Sequence, residues 1–333
     1  MPMGAAGYRK ENLKLGFLTS LIILAVAQAV FADPMAEAPH SATLEDFLKG
    51  LRYEPVKLKI QHGHPLVNGE LRPGKKCVFL VDTGWSITTL DRSVAGRLKS
   101  IKERGVVLDD TFLGVLSDSS LVLIDKLVLG RAEFMNQPAR VEKLEMASAR
   151  APFDGILGCD FLFRNSCLLD CGAWQLYLHG AKPSETENRT LRETLMRSGF
   201  MEIPLSMKNW FTLESRINGH PVQLAVDTGA EFSAIDNGQI GPLGLKTVSD
   251  VSGLLVGVNK IGAHKIRVTT LSTLELGPGL WNNLHFGMTN LKAWGLSRPG
   301  GAWAEVKGML GKDFLHLRGA LIDCDGHTLW LKP

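Results

Sequence analysis

Short runs of Val, Ile, Leu and Phe, separated by Gly, Asn and Asp, recur from residue 44 to the C-terminus. Runs of that length with turn residues between them predict short β-strands, so most of the chain reads as β. Two segments carry helical spacing of apolar positions instead: LEDFLKGLRYEPVKL from Leu44 to Leu58, and LRETLMRSGFMEIPL from Leu191 to Leu205. A threonine precedes each, Thr43 or Thr190, with Asp46 or Glu193 three residues after it. That spacing predicts a capped amphipathic helix at both places, with a full capping box in the second and a near equivalent in the first.

The two helices are the first sign that the chain repeats itself. Val67-Asn68-Gly69 matches Ile217-Asn218-Gly219, each predicted as a turn between strands. Next, FLVDTG ending at Gly84 matches LAVDTG ending at Gly229. KLVLG (Lys126 to Gly130) matches TLELG (Thr273 to Gly277), and GILGCDFL (Gly155 to Leu162) matches GMLGKDFL (Gly308 to Leu315). The ends agree as well, LLDCGAWQLYL from Leu168 against LIDCDGHTLWL from Leu321. The offset drifts only from 145 to 153 residues, and the order never changes. The chain is a tandem duplication of a mainly β unit, a first lobe over 33–180 and a second over 191–333. The polar stretch Lys182-Pro183-Ser184-Glu185-Thr186-Glu187-Asn188 lies between them, and 181–190 reads as a linker.

Residues 1–32 follow a different pattern. Arg9, Lys10 and Lys14 lead into a mostly apolar run from Leu15 to Phe31, and Val30-Phe31-Ala32 places small residues ahead of Asp33. This predicts a signal peptide cleaved after Ala32 and an exported protein, periplasmic or secreted. The alternative is an uncleaved segment that tethers the protein to a membrane, since the run is near the lower limit for a span. No later stretch is long and apolar enough to cross a bilayer. The whole chain carries a net charge of +3, too little to predict nucleic-acid binding. Five cysteines leave at least one unpaired. Cys171 and Cys324 occupy matching places, so a bridge between them stays open, while Cys77, Cys159 and Cys167 have no counterpart. His62-Gly63-His64 lacks further ligands nearby and reads as a loop pair rather than a metal site. Arg97, Lys99, Lys102 and Arg104 read as the solvated face of a short helix after Asp91. Asn188-Arg189-Thr190 has only the form of a sequon.

The candidate chemistry lies in the repeated Asp-Thr-Gly. One such tripeptide is weak evidence, but two in register within a duplicated chain place Asp82 and Asp227 at equivalent strand ends. Gly84 and Gly229 permit the sharp turn, and the hydroxyls of Thr83 and Thr228 can hold it to nearby backbone. If the two turns meet about a pseudo-twofold axis, their carboxylates share one proton. The ionised one takes a proton from water while the other donates to a carbonyl oxygen. Such a pair attacks an amide with no metal and no cofactor, and the chain carries no H-E-x-x-H, G-x-S-x-G or cysteine–histidine signature.

At these residues the chain resembles the retropepsin/pepsin clan of aspartic proteases, closest to exported bacterial retropepsin-like families. The clan's later hydrophobic-hydrophobic-glycine is supplied by Ile156-Leu157-Gly158 and Met309-Leu310-Gly311, each followed by a short helix start. The resemblance implies two homologous acid-protease β-barrel lobes fused in one chain, with Asp82 and Asp227 as the catalytic pair and a peptide or protein as substrate. It also places flaps near Gly114-Val115 and Gly257 to Gly262, although neither segment is rich in glycine and neither contains tyrosine. Pepsin-like members carry Ser or Thr directly after the motif, where this chain has Trp85 and Ala230. Ala230 is retropepsin-like. Trp85 either lines a subsite, shields the carboxylates or packs in the core. Glu231 reads as a solvated loop acid beside the site. The rival reading is a non-catalytic protein that uses this fold to bind peptides or envelope components.

Overall fold

The computed structural model describes residues 42–61, 63–71, 74–96, 102–106, 120–146, 149–150, 152–208, 210–255, 264–291 and 305–333. The segment 1–32 and the two flap candidates, Gly114-Val115 and Gly257 to Gly262, lie outside these residues, as do His62, Arg97 and Lys99.

Each half closes its strands into a ring. In the first, His64–Glu70, Lys76–Val81, Gly155–Leu157, Thr89–Asp91, Ala132–Glu142 and Ser120–Leu129 pair in that order, and the last returns to the first through Gly69 opposite Leu129. In the second, Phe211–Ile217, His220–Val226, Val306–Leu310, Ala234–Asp236, Gly279–Thr289 and His264–Leu276 do the same, closing through Ile217 opposite Leu274. Alternation along these strands sends Val67, Phe79, Leu127 and Leu129 inward in one lobe, and Leu213, Leu224, Leu274 and Leu276 inward in the other. Closure removes most unpaired edges, which is how antiparallel barrels avoid edge-to-edge association. The fold is mainly β with short helices, as the pattern predicts.

A six-stranded sheet joins the lobes, ordered Glu54–Lys57, Gln175–Leu178, Leu168–Asp170, Leu321–Asp323, Thr328–Leu331 and Met201–Pro204. Its centre is the pairing of the matched LLD and LID segments, Leu168 opposite Asp323 and Asp170 opposite Leu321. The pseudo-twofold axis passes between them. Helices Ala42–Gly50 and Glu185–Arg197 cover this sheet, setting Leu48, Leu191 and Leu195 against Tyr53, Leu168, Tyr177, Leu321 and Trp330. Each buried leucine contributes about 1.5–3 kcal/mol.

Several local expectations need correction. The second helix is capped by Ser184, not Thr190: Ser184 and Glu187 form the capping box, the Ser184 N–H donating to Glu187 Oε2 at 2.8 Å. Pro183-Ser184 stops the chain and starts the helix six residues early, so residues 185–190 are helical, and Thr190 donates to Thr186 O within the first turns. Thr43 likewise falls inside its helix. Asn218-Gly219 is the predicted two-residue turn, both residues having positive φ. Asn68-Gly69 is not a turn, because the hairpin in the first lobe is longer and both residues pair across it with Val78 and Cys77. Lys102 and Arg104 lie in the strand Lys102–Val106; the helix after Asp91 covers only Arg92–Ala95. His64 opens a strand rather than sitting in a loop. All five cysteines are free and buried. Cys171 donates its N–H to Ala320, whereas Cys324 donates to Cys167, so the register places Cys324 opposite Cys167 and not Cys171. Among the described residues, no helix is long and apolar enough to cross a membrane.

Candidate active site

Each Asp-Thr-Gly leaves the end of a strand that runs parallel to the matched hydrophobic-hydrophobic-glycine segment. Lys76–Val81 pairs with Gly155–Leu157, and His220–Val226 with Val306–Leu310. The first hydrogen bonds beyond those ladders fix the two aspartates: Asp82 N–H donates to Leu157 O at 3.1 Å and Asp227 N–H to Leu310 O at 3.0 Å. Gly158 and Gly311 then pass so close to the chain that follows their own lobe's Asp-Thr-Gly that a Cβ would lie 2.6 Å from Trp85 O or 2.5 Å from the Phe232 carbonyl carbon.

The threonines hold the two turns to one another. Thr83 Oγ1 donates to Val226 O at 2.8 Å and accepts from Thr228 N–H at 3.0 Å. Thr228 Oγ1 donates to Val81 O at 3.0 Å and accepts from Thr83 N–H at 3.1 Å. Sequence alone suggested bonds within each turn. The observed bonds cross between lobes, and both side chains are fully buried. This reciprocal clamp brings the carboxylates together. Each motif glycine faces the other lobe's aspartate: a Cβ on Gly84 would lie 2.5 Å from Asp227 Cγ, and one on Gly229 would strike the Asp82 carboxylate.

The pair is asymmetric. Asp227 Oδ1 accepts two N–H bonds, from Gly229 and Ala230, both at 2.9 Å. Asp82 Oδ1 accepts one, from Gly84 at 2.8 Å. The Trp85 N–H turns back to the Asp82 carbonyl at 3.3 Å. Burial raises both carboxyls above the ordinary aspartate range, and the Asp227 charge raises Asp82 further, while the two N–H donors hold Asp227 back. The two carboxyls face one another across the motif glycines and titrate as a coupled pair, and the extra N–H donor on Asp227 favours its anion and biases the shared proton toward Asp82.

A second pair of aspartates props this arrangement. Asp160 Oδ1 accepts from Thr88 N–H and Thr88 Oγ1, both at 2.7 Å, and from Phe161 N–H. Asp313 Oδ1 does the same for Ser233 N–H at 2.8 Å, Ser233 Oγ at 2.7 Å and Phe314 N–H. The two hydroxyls in turn accept from Gly158 N–H and Gly311 N–H. These four residues were missed as site residues, although the shared Asp of GCDFL and GKDFL was the available signal. Trp85 packs among Leu66, Leu80, Leu144, Phe153 and Ile156, its Nε1–H donating to Thr89 Oγ1 at 2.9 Å. Ala230 packs at the edge of a cluster containing Trp210, Met309 and Leu291. Glu231 is exposed, with Gly63 of the first lobe close to its carboxylate. Among the described residues, no group of three or more His, Cys, Asp or Glu side chains is arranged to hold a metal ion.

Both halves match known families in sequence, residues 67–161 the aspartyl protease family and residues 213–316 the gag-polyprotein aspartyl protease family. The two matches, one in each lobe, support a two-lobed aspartic protease of the retropepsin and pepsin type. Each family match spans its own lobe's Asp-Thr-Gly and hydrophobic-hydrophobic-glycine segment. No curated protein matches the chain in sequence. Among solved structures, the aspartic proteinase from Irpex lacteus is similar at 13% identity and a TM-score of 0.48, covering 84% of this chain and 97% of that one. The family assignment rests on the two sequence matches and the paired motifs.

Proposed function

We propose that this aspartic protease homologue is an active endopeptidase that hydrolyses peptide bonds with a water activated between Asp82 and Asp227. The observation that carries the reading is the asymmetric carboxyl pair, buried, unequally supplied with N–H donors and backed on each side by the other lobe's glycine. Asp227, steadied as an anion by two N–H donors, removes a proton from the water as its oxygen attacks the carbonyl carbon. Asp82 donates its proton to the carbonyl oxygen, giving a neutral tetrahedral diol. Collapse returns a proton to the departing nitrogen and breaks the C–N bond. An extended peptide would lie across the cleft between the lobes with β-like backbone pairing. The rival reading, a binding protein without catalysis, does not require both aspartates or their close approach across the motif glycines. Export through residues 1–32 is part of the proposal, and the mass of the mature N-terminus tests it: a start at Asp33 supports cleavage.

The activity test is cleavage of a mixed peptide library by residues 33–333 from acid to neutral pH, beside Asp82→Asn and Asp227→Asn. Cuts made by the wild type and absent from both variants are expected. Cleavage by folded Asp227→Asn at near wild-type rate would overturn the assignment, as would a folded wild type that cuts nothing at any pH.

A further inference from the structure

The residue directly after each hydrophobic-hydrophobic-glycine segment differs between the lobes. In the first it is Cys159, fully buried, its Sγ–H donating to Thr83 O at 2.9 Å. Burial and the neighbouring Asp82 keep that thiol neutral. In the second it is Lys312, whose N–H donates to Ala230 O at 3.0 Å. Lys312 is only 6% exposed, and its Nζ has no hydrogen-bond partner among the described residues. A buried ammonium is costly unless nearby charge compensates it. The carboxylates that act on it are, in order, Glu231, Asp227, Asp82 and Asp313. The hairpin of the first lobe that comes against Glu231 through Gly63 also carries His64.

We propose that Lys312 is a positioning residue of the aspartic centre: a buried ammonium behind the second catalytic turn, partly offset by Glu231, that decides over which pH range the pair holds a single proton. The inference rests on the functional reading above. A fixed positive charge favours ionisation at both steps of a coupled pair, so it moves the whole singly protonated window toward acid. Its attraction lowers the proton affinity of both aspartates, while burial lowers that of Lys312 itself. Glu231 works the other way, its own negative charge offsetting part of the ammonium's. Cys159 has no charge to contribute, so the effect comes from one lobe only.

The test is the pH dependence of kcat/KM for wild type, Lys312→Met, Lys312→Arg and Glu231→Gln, with carbon-13 NMR titration of the aspartate carboxyls in the same proteins. Lys312→Met should move both limbs toward neutral pH, giving about a threefold gain over wild type on the alkaline limb, the residue of a one-unit charge effect after partial offset. Lys312→Arg should stay near wild type, and Glu231→Gln should move both limbs toward acid. A folded Lys312→Met whose carboxyl titration coincides with wild type would overturn the proposal, whatever its activity. So would a Glu231→Gln shift in the same direction as Lys312→Met. If Lys312→Met does not fold, the carboxyl titration of Lys312→Gln, expected to shift in the same direction as Lys312→Met, decides instead. If the wild type cleaves nothing, the NMR titration still decides for Lys312, and only the endopeptidase reading falls.

Discussion

Thr228→Val is the most informative single change to the frame of the site, because it keeps the side chain's volume and removes only its hydroxyl. Thr228 is fully buried, and its Oγ1 both accepts from Thr83 N–H at 3.1 Å and donates to Val81 O at 3.0 Å. The substitution leaves the Thr83 N–H buried without an acceptor, which costs about 1–3 kcal/mol, and removes a second bond that contributes about 1 kcal/mol. A loss of about 2–4 kcal/mol is expected, a large share of the roughly 5–15 kcal/mol available to a domain. Both bonds cross from one lobe to the other, so cleavage should fall along with stability. Urea denaturation followed by fluorescence and circular dichroism measures the loss, with coincident transitions required before a free energy is quoted. Thr228→Ser restores the hydroxyl and should recover most of the loss. Combining Thr228→Val with Thr83→Val should give non-additive effects of about 0.5 kcal/mol or more, as expected for groups in one network. A Thr228→Val loss below about 0.5 kcal/mol, or a Ser variant no better than Val, would refute the clamp.

Two further outcomes follow from the supporting carboxyls. Asp313→Ala strips the acceptor from Ser233 N–H, Ser233 Oγ and Phe314 N–H and should cost about 3 kcal/mol or more; thermal melting checks this, and Asp313→Asn should lose less because it keeps a carbonyl acceptor. Burial pushes the Asp323 carboxyl up to about 6, above its value of about 3.9 in an unfolded chain. The folded state therefore binds the extra proton between those values, so this group's stabilisation is full below about pH 4 and is lost as pH rises through about 6, on the order of 3 kcal/mol in all. Asp323→Asn keeps the acceptor for Gly326 N–H at 2.9 Å and should flatten the fall in denaturation midpoint between pH 4 and 7. An unchanged slope would count against it.

What was legible in the sequence was whatever the duplication wrote twice. The two Asp-Thr-Gly turns, Gly158 with Gly311, and the helix starts at Cys159 and Lys312 could be read because each lobe vouches for the other. The interlobe clamp was not legible, since a threonine's hydroxyl partner depends on where the second lobe lies, and the sequence carries no distance between Thr83 and Thr228. Asp160 and Asp313 were repeated and still missed, because an acid in the first turn of a helix ordinarily serves the helix's own N–H groups. Here the carboxylates reach back to Thr88 and Ser233 as well. Local signals failed where two similar ones competed. Both Ser184 and Thr190 precede a glutamate at the right spacing, and the structure uses the earlier pair. Asn68-Gly69 resembles Asn218-Gly219 in letters, but the ladder between the flanking strands continues through it. Lys312 drew no reading beyond a helix start, because nothing in GKDFL shows that the first turn of this helix is buried.

The division of labour between the two aspartates traces to a single difference after the repeated motif. A perfectly duplicated site would give both carboxylates the same donors, and the shared proton would have no preferred side. Here the chain after Gly229 continues so that the Ala230 N–H reaches Asp227 Oδ1 at 2.9 Å. The chain after Gly84 instead sends the Trp85 indole into the first lobe's core and its N–H to the Asp82 carbonyl. One extra N–H bond to a charged group is worth about 1.5–3 kcal/mol, which biases the proton toward Asp82 by roughly tenfold or more. Lys312 acts on top of that bias without reversing it, since its charge draws protons from both members of the pair. In the proposed mechanism the acid and base roles are thus set by which residue follows the motif, Trp85 or Ala230, while the pH range in which those roles hold is set one turn behind it by Lys312, the matching Cys159 being uncharged.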